Sequence, residues 1–282
     1  VGKHRWAQAI AGVLAVALVP STPPISAEFT SSSFVADATA VAVRGERFQL
    51  TPSPGPPSAS FPPVPPPAGC TPGALVRGVN TGGARVVAFS YDDGPWPVYT
   101  RGVMDAFEAR GLRATFFWIG SNVATNPDIA RDVVARGHEV GNHSMTHVYS
   151  PSTIAREIPV ANSTIQRITG VRPSLFRSPG LTEGGVIQST LAANGMCNIF
   201  TTVELGDWYM PRRTASRLCS AFANTLHPGE IALLHDGGTH AQTVAATPCM
   251  LDVALQRGYR IVTVGGLLQL GTPYSSGYGG RA

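Results

Sequence analysis

Between residues 86 and 264 the chain repeats one pattern: a short apolar run, a turn, then a stretch with helical spacing. The apolar runs are Val86–Tyr91, Ala114–Ile119, Glu139–Asn142, Leu175–Arg177, Asn198–Val203, Ile231–His235 and Arg260–Val264. The first helical stretch is Arg101–Arg110, where Val103, Met104 and Phe107 share a face and Gly111 supplies a stop. The next begins at Asn126-Pro127, a cap followed by proline in the first turn, and ends at Gly137. Further helices are expected over Ile154–Ile168, despite Pro159, and over Gly185–Ala193, Ala215–Leu226 and Val244–Arg257. Continuous apolar strands need cover on both faces, and strict alternation with helices makes the strands parallel. About seven such units predict an α/β fold, a distorted (β/α) barrel of about seven parallel strands in one domain over 69–270. An open doubly wound sheet is the alternative. No G-x-G-x-x-G follows the first strand, which argues against a dinucleotide site.

In such folds the chemistry gathers at the C-terminal ends of the strands. Five polar clusters stand there. Ser90-Tyr91-Asp92-Asp93-Gly94-Pro95 places two carboxylates after an apolar strand, and the Gly-Pro turn can aim both at one site. His143-Ser144-Met145-Thr146-His147 spaces two histidines at i and i+4, one face of a helical turn, a zinc-chelating arrangement. Asp93 as third ligand leaves a position for water, as catalytic zinc requires. Phe176-Arg177-Ser178-Pro179-Gly180 offers an arginine to pair with a carboxylate; Asp207-Trp208 and Leu233-Leu234-His235-Asp236 follow. Each taken singly reads equally well as a cap, an ion pair or solvated surface. Five at five strand ends of one domain do not.

In this order and spacing the clusters resemble the NodB homology domain of polysaccharide deacetylases, the fourth family of carbohydrate esterases. The family reads T-F-D-D-G-P, H-[ST]-x-x-H, R-x-P, D-W and L-x-H, and the resemblance spans about 85–270. It implies a NodB-type barrel and a metal, zinc by preference, held by Asp93, His143 and His147. It implies Asp92 as general base and His235 as general acid, supported by Arg177 and Asp207. Trp208 and Leu233 would line the acetyl pocket, and the backbone N–H of Gly180 would meet the oxyanion. The expected activity is hydrolysis of N-acetyl groups on a GlcNAc-containing polymer, peptidoglycan or chitin oligomers. The chain departs from the family at Ser90, Tyr91, Val148, where proline is usual, and Gly180, where an aromatic residue is common. These departures bear on substrate preference more than on activity. The competing expectations are an O-acetyl esterase on xylan-like polymers, an inactive glycan-binding relative, and an amidohydrolase of the same fold acting on a small molecule.

The flanks suggest export. Residues 1–27 read as a signal peptide: Lys3 and Arg5, the apolar run Ala7–Val19, then Ile25-Ser26-Ala27 as a cleavage site. Residues 28–68 read as a disordered linker, proline-rich from Pro52 to Pro67, and residues 271–282 as a flexible tail. The location expected is secreted or cell-wall associated. No other run approaches the roughly 20 apolar residues of a membrane helix. Removing Lys3 and Arg5 leaves 19 basic residues against 17 acidic, with no basic cluster, so nucleic acid is not an expected partner. The protein is expected to act as a monomer on a polysaccharide. Four cysteines in an exported chain read as two disulfides, and Cys197–Cys219 with Cys70–Cys249 is the preferred pairing. His138 and His227 read as structural or solvated, and Thr239 and His240 receive no role.

Overall fold

The computed structural model describes residues 68–209 and 213–276. The expected signal peptide and linker lie outside the described residues. Two short strands, β1 (Leu75–Val76) and β2 (Gly78–Asn80), lead into β3 (Val86–Asp92) and α1 (Tyr99–Glu108). β4 (Thr115–Trp118), α2 (Gly120–Thr125), α3 (Pro127–Ala135), β5 (Glu139–Asn142) and α4 (Pro151–Thr169) follow. Then come β6 (Leu175–Phe176), α5 (Gly185–Ala193), β7 (Cys197–Ile199), β8 (Val203–Glu204) and α6 (Ala215–Thr225). The described chain closes with β9 (Glu230–His235), α7 (Ala241–Gln256), β10 (Arg260–Val262), α8 (Val264–Leu268) and β11 (Thr272–Tyr274).

The main sheet runs β1-β7-β6-β5-β4-β3-β9-β8, with β10 also on β3. Every pairing in it is parallel. The expected strand Asn198–Val203 is in fact two strands at different places in the sheet, β7 beside β6 and β8 at the far edge beside β9. This split forces the curvature. Four peptide units from Ile199 to Val203 reach at most about 14 Å. A flat sheet would separate β7 from β8 by six strand spacings, about 29 Å. The sheet therefore curls into an incomplete barrel, and the expected fold class holds.

Side-chain parity on β3 sorts the two cores. Val87, Phe89 and Tyr91 face outward into a cluster with α1, α3, α6 and α7, where Val103, Met104 and Phe107 supply the expected helix face. Val86 and Ala88 face inward with Phe117, Leu175, Ile199 and Ile231 over a floor of Val264, Leu267 and Leu268. Ser90 and Asp92 share the inward parity, so the strand that builds the core delivers them to the interior of the barrel. Tyr91 points away from it, with its hydroxyl against Thr247.

The disulfides correct the expected pairing: Cys70 joins Cys197, and Cys219 joins Cys249, with Cα separations of 6.4 and 5.9 Å. The reason is topological. β1 lies beside β7, and α6 packs along α7, so each cysteine meets the neighbour its element already has. Thr272–Tyr274, in the stretch expected to be a flexible tail, pairs antiparallel with β2.

Candidate active site

Asp92 ends β3 buried among groups that fix it. Arg177, just past β6 and fully buried, donates from Nη1 to Asp92 Oδ1 at 2.7 Å. Its remaining donors reach Ser90 Oγ at 2.9 Å, the Ile199 carbonyl at 3.0 Å and the Phe200 carbonyl at 3.4 Å, and its plane lies 4.2 Å from the Phe117 ring centre. Ser90 accepts that bond and donates its own hydroxyl to Ala232, so the smaller side chain at 90 still completes the network. A buried guanidinium is tolerable only with its nitrogens hydrogen-bonded and its charge opposed, and here each nitrogen has a partner and Asp92 opposes the charge. Burial pushes the Asp92 carboxyl above its ordinary value, and the neighbouring Arg177 charge pulls it back only in part. The net rise suits a proton acceptor working near neutrality better than an ordinary aspartate would.

Asp93 turns away from the strand in a left-handed conformation (φ 75°), which swings its carboxylate to the same side as that of Asp92. Asn122 on α2 donates to its carbonyl at 2.7 Å and holds the turn. The expected helical turn at 143–147 is corrected: this segment is a loop after β5, with Ser144 and His147 both left-handed (φ 66° and 58°). The sequence supplies the loop's hydrogen bonds from side chains. Asn142 Oδ1 accepts from the Ser144 N–H, Ser144 Oγ accepts from the His147 N–H, and Glu157 accepts from the Met145 and Thr146 N–H groups. Side-chain acceptors competing for backbone donors favour turns over helix. The loop still brings both imidazoles to one point, with ring centres 5.0 Å apart.

Asp93, His143 and His147 offer ligand atoms within 4.8 Å of one another. Asp93 Oδ1 is buried without a hydrogen-bond partner while lying 3.5 Å from His143 Nε2 and 3.4 Å from His147 Nε2. An orphaned carboxylate oxygen facing two imidazole nitrogens fits a cation. The His143 Nδ1–H donates to the Arg177 carbonyl at 2.8 Å, which leaves Nε2 as a free lone pair. Burial holds His143 neutral, with its pKa down to about 3, the protonation state a ligand needs. Two histidines and a carboxylate are the donor set of an open zinc site. Asp207, His235 and His240 also lie close together. There, however, Asp207 spends both oxygens on protein donors: Oδ1 on His235 Nδ1–H, Oδ2 on the His235 N–H and Thr243 Oγ1, all at 2.8 Å.

That arrangement favours the protonated form of His235. With Nδ1–H engaged by Asp207, the other ring nitrogen is left for the pocket. Burial alone would lower the imidazolium's pKa, but the Asp207 hydrogen bond and charge, with Asp92 and Asp93 behind them, outweigh it and raise the value to about 9. His240, at the start of α7, stacks on the His235 ring with centres 5.2 Å apart and planes 19° apart, while its own Nδ1–H donates to Gly237. No spacing pattern marked it in the sequence; only the turn from β9 into α7 brings it there. His138, by contrast, is buried and structural, accepting from the Ala114 N–H.

Asp92, Asp93, His143, His147 and His235 open onto one cavity of about 410 Å³. Gly180, Trp208 and Leu233 line it, together with Ser178 of the third cluster and with Tyr149, Leu181 and Glu204, which the sequence did not single out. Leu233 is buried, but Trp208 is 54% exposed and stands at the rim. Arg177 and Asp207 lie behind Asp92 and His235 as supports. Every residue expected at the site is therefore in or against it.

Comparison with known proteins points to one family. Residues 79–198 match the polysaccharide deacetylase family model. A peptidoglycan-N-acetylglucosamine deacetylase of Bacillus cereus is 35% identical over 66% of this chain and 89% of its own. A chitooligosaccharide deacetylase of Bradyrhizobium sp. is 32% identical over 64% and 90%. Among solved structures, a family 4 acetyl xylan esterase from Clostridium thermocellum, in complex with a cobalt ion, is 31% identical, covers 66% of this chain and 91% of that one, and superposes with a TM-score of 0.60.

Proposed function

This chain belongs to the polysaccharide deacetylase family, and we propose that it removes N-acetyl groups from a GlcNAc-containing polymer, peptidoglycan or chitin oligomers. The observation that carries this reading is the convergence of Asp92, His235 and the Asp93–His143–His147 set on one cavity, with Asp92 held by Arg177 and His235 by Asp207. Asp93, His143 and His147 would hold a divalent cation, by preference zinc, which when bound lowers the pKa of water and polarises a carbonyl.

The chain's own groups supply the rest. Asp92, pinned by Arg177, takes a proton from the attacking water. The Gly180 N–H donates to the carbonyl oxygen as negative charge develops there. Leu233 and Trp208 cover the acetyl methyl. His235 then gives its proton to the departing amine. An amide requires that last step because amine is a poor leaving group unless protonated, and the Asp207-supported imidazolium keeps the proton ready at neutral pH. Residues 1–27 would direct export, placing the monomeric enzyme where such polymers occur.

The likeness to an acetyl xylan esterase favours a second reading, O-deacetylation with the same acid, base and ligands. The test is acetate release by the zinc-loaded full chain from chitin oligomers, peptidoglycan and acetylated xylan. Release from the N-acetyl glycans is expected. Release from xylan alone would establish the esterase, and release from none would overturn both.

A further inference from the structure

Tyr149 lines the cavity and takes no part in the steps above. It is 62% exposed, a large aromatic surface left in water beside a polar pocket. Two contacts nonetheless hold its ring. It stands edge-on to His147, with centres 5.3 Å apart and planes at 83°. It also covers the bare backbone of Gly180: a Cβ at that position would come within 2.9 Å of Tyr149 Cε1 and 3.0 Å of Cδ1. Gly180 is left-handed as well (φ 56°), so conformation and space both exclude a side chain there. The room beside the R-x-P segment that residue 180 would fill is taken instead by a ring from the loop after His147.

A held aromatic face at the rim of a polar cavity stabilises a ligand with an apolar face of its own. A pyranose chair with equatorial substituents has one, since its axial C–H groups all lie on its two sides. Trp208, the other exposed ring on this cavity, offers a second such surface. We infer that Tyr149 is the sugar-binding wall of the site, a specificity-determining residue that stacks on the ring of an equatorially substituted N-acetylhexosamine in an oligomer. This rests on the deacetylase reading above and adds the part of the substrate, beyond the acetyl group, that the site recognises.

A wall for the sugar and a prop for His147 predict different kinetics. A prop would lower kcat on every acetyl substrate alike. A wall acts on KM, and only where a sugar ring is present. The experiment compares wild type, Tyr149→Ala and Tyr149→Phe on an N-acetylchitopentaose and on 4-nitrophenyl acetate. Alongside it, calorimetry measures pentaose binding to Asp92→Asn with and without Tyr149→Ala. The alanine change is expected to weaken pentaose KM and Kd about tenfold and to lower the pentaose-to-ester ratio of kcat/KM by a similar factor. Phenylalanine, which keeps the ring, should stay within about twofold of wild type. Equal losses on both substrates, or pentaose affinity indifferent to Tyr149, would overturn the inference. If wild type releases no acetate from any glycan, the deacetylase reading fails, yet calorimetry still decides this one: weaker binding without the ring sustains it, and unchanged or absent binding overturns it.

Discussion

Asp92 and Arg177 are a buried ion pair in which each charge depends on the other. Removing one partner leaves an uncompensated charge in the core, which typically costs about 3–5 kcal/mol. Arg177→Met should therefore lower unfolding free energy by that order in urea titration; a loss below about 1 kcal/mol would mean that water or another group replaces the guanidinium. The His235–Asp207 pair makes a pH prediction. The folded pKa of His235, about 9, lies above its ordinary 6.5. The stability that protonated His235 contributes is thus full below about pH 6.5, until acid protonates Asp207, and is lost as pH rises through about 9. Under the proposed mechanism this proton goes to the leaving amine, so kcat/KM should fall on the alkaline side near pH 9. In Asp207→Asn that limb should move toward 6.5; an unmoved limb would assign the acid to another group. Most of these residues were legible in the sequence because the chemistry demands acids, bases and ligands at strand ends. Tyr149 and His240 were not, because each reaches the site through a turn whose path no spacing reveals.

At the scale of elements, the apolar runs on β3, β4, β6 and β9 were plain because a strand buried on both faces has few polar residues to blur it. The boundary between β7 and β8 was hidden in one apolar run, Asn198–Val203, since nothing local signals that Phe200 to Thr202 cross from β7, next to β1 at one edge, to β8 at the other edge. The histidine loop misled for a related reason: i, i+4 spacing suits a helix, but Asn142, Ser144 and Glu157 satisfy the backbone without one. The disulfides were misassigned because their partners follow from strand order and helix packing, which cysteine spacing does not encode. The Cys219–Cys249 bridge ties α6 to α7 with a separation of 30 residues. A loop of that length implies about 3–4 kcal/mol from restricting the unfolded chain. Replacing both cysteines by alanine should lower unfolding free energy by this order, and an unchanged midpoint in denaturant would place the stabilisation elsewhere.

For the molecule as a whole, the curled sheet is what makes a site from residues as distant in sequence as Asp92 and His235. β3 and β9 run side by side and pair these two residues in register, while β5 and its following loop bring His143 and His147 to the same end. Ligands drawn from β3 and from that loop should tie metal binding to global stability. A cation at a hundred times its dissociation constant stabilises the folded state by about 2.7 kcal/mol. Zinc should raise the melting temperature of wild type, chelator should reverse the rise, and His143→Ala should abolish it; a rise that survives in the variant would put the ion at another site.

The central claim is that Asp92 removes the proton from water in a hydrolysis organised by Asp93, His143 and His147. The most direct measurement is acetate release from N-acetyl chitin oligomers by wild type and Asp92→Asn, with zinc content determined for both. The account predicts equal zinc in the two proteins and a fall in kcat of about 10²–10⁴ in the variant. Undiminished release by a fully loaded Asp92→Asn protein would contradict it.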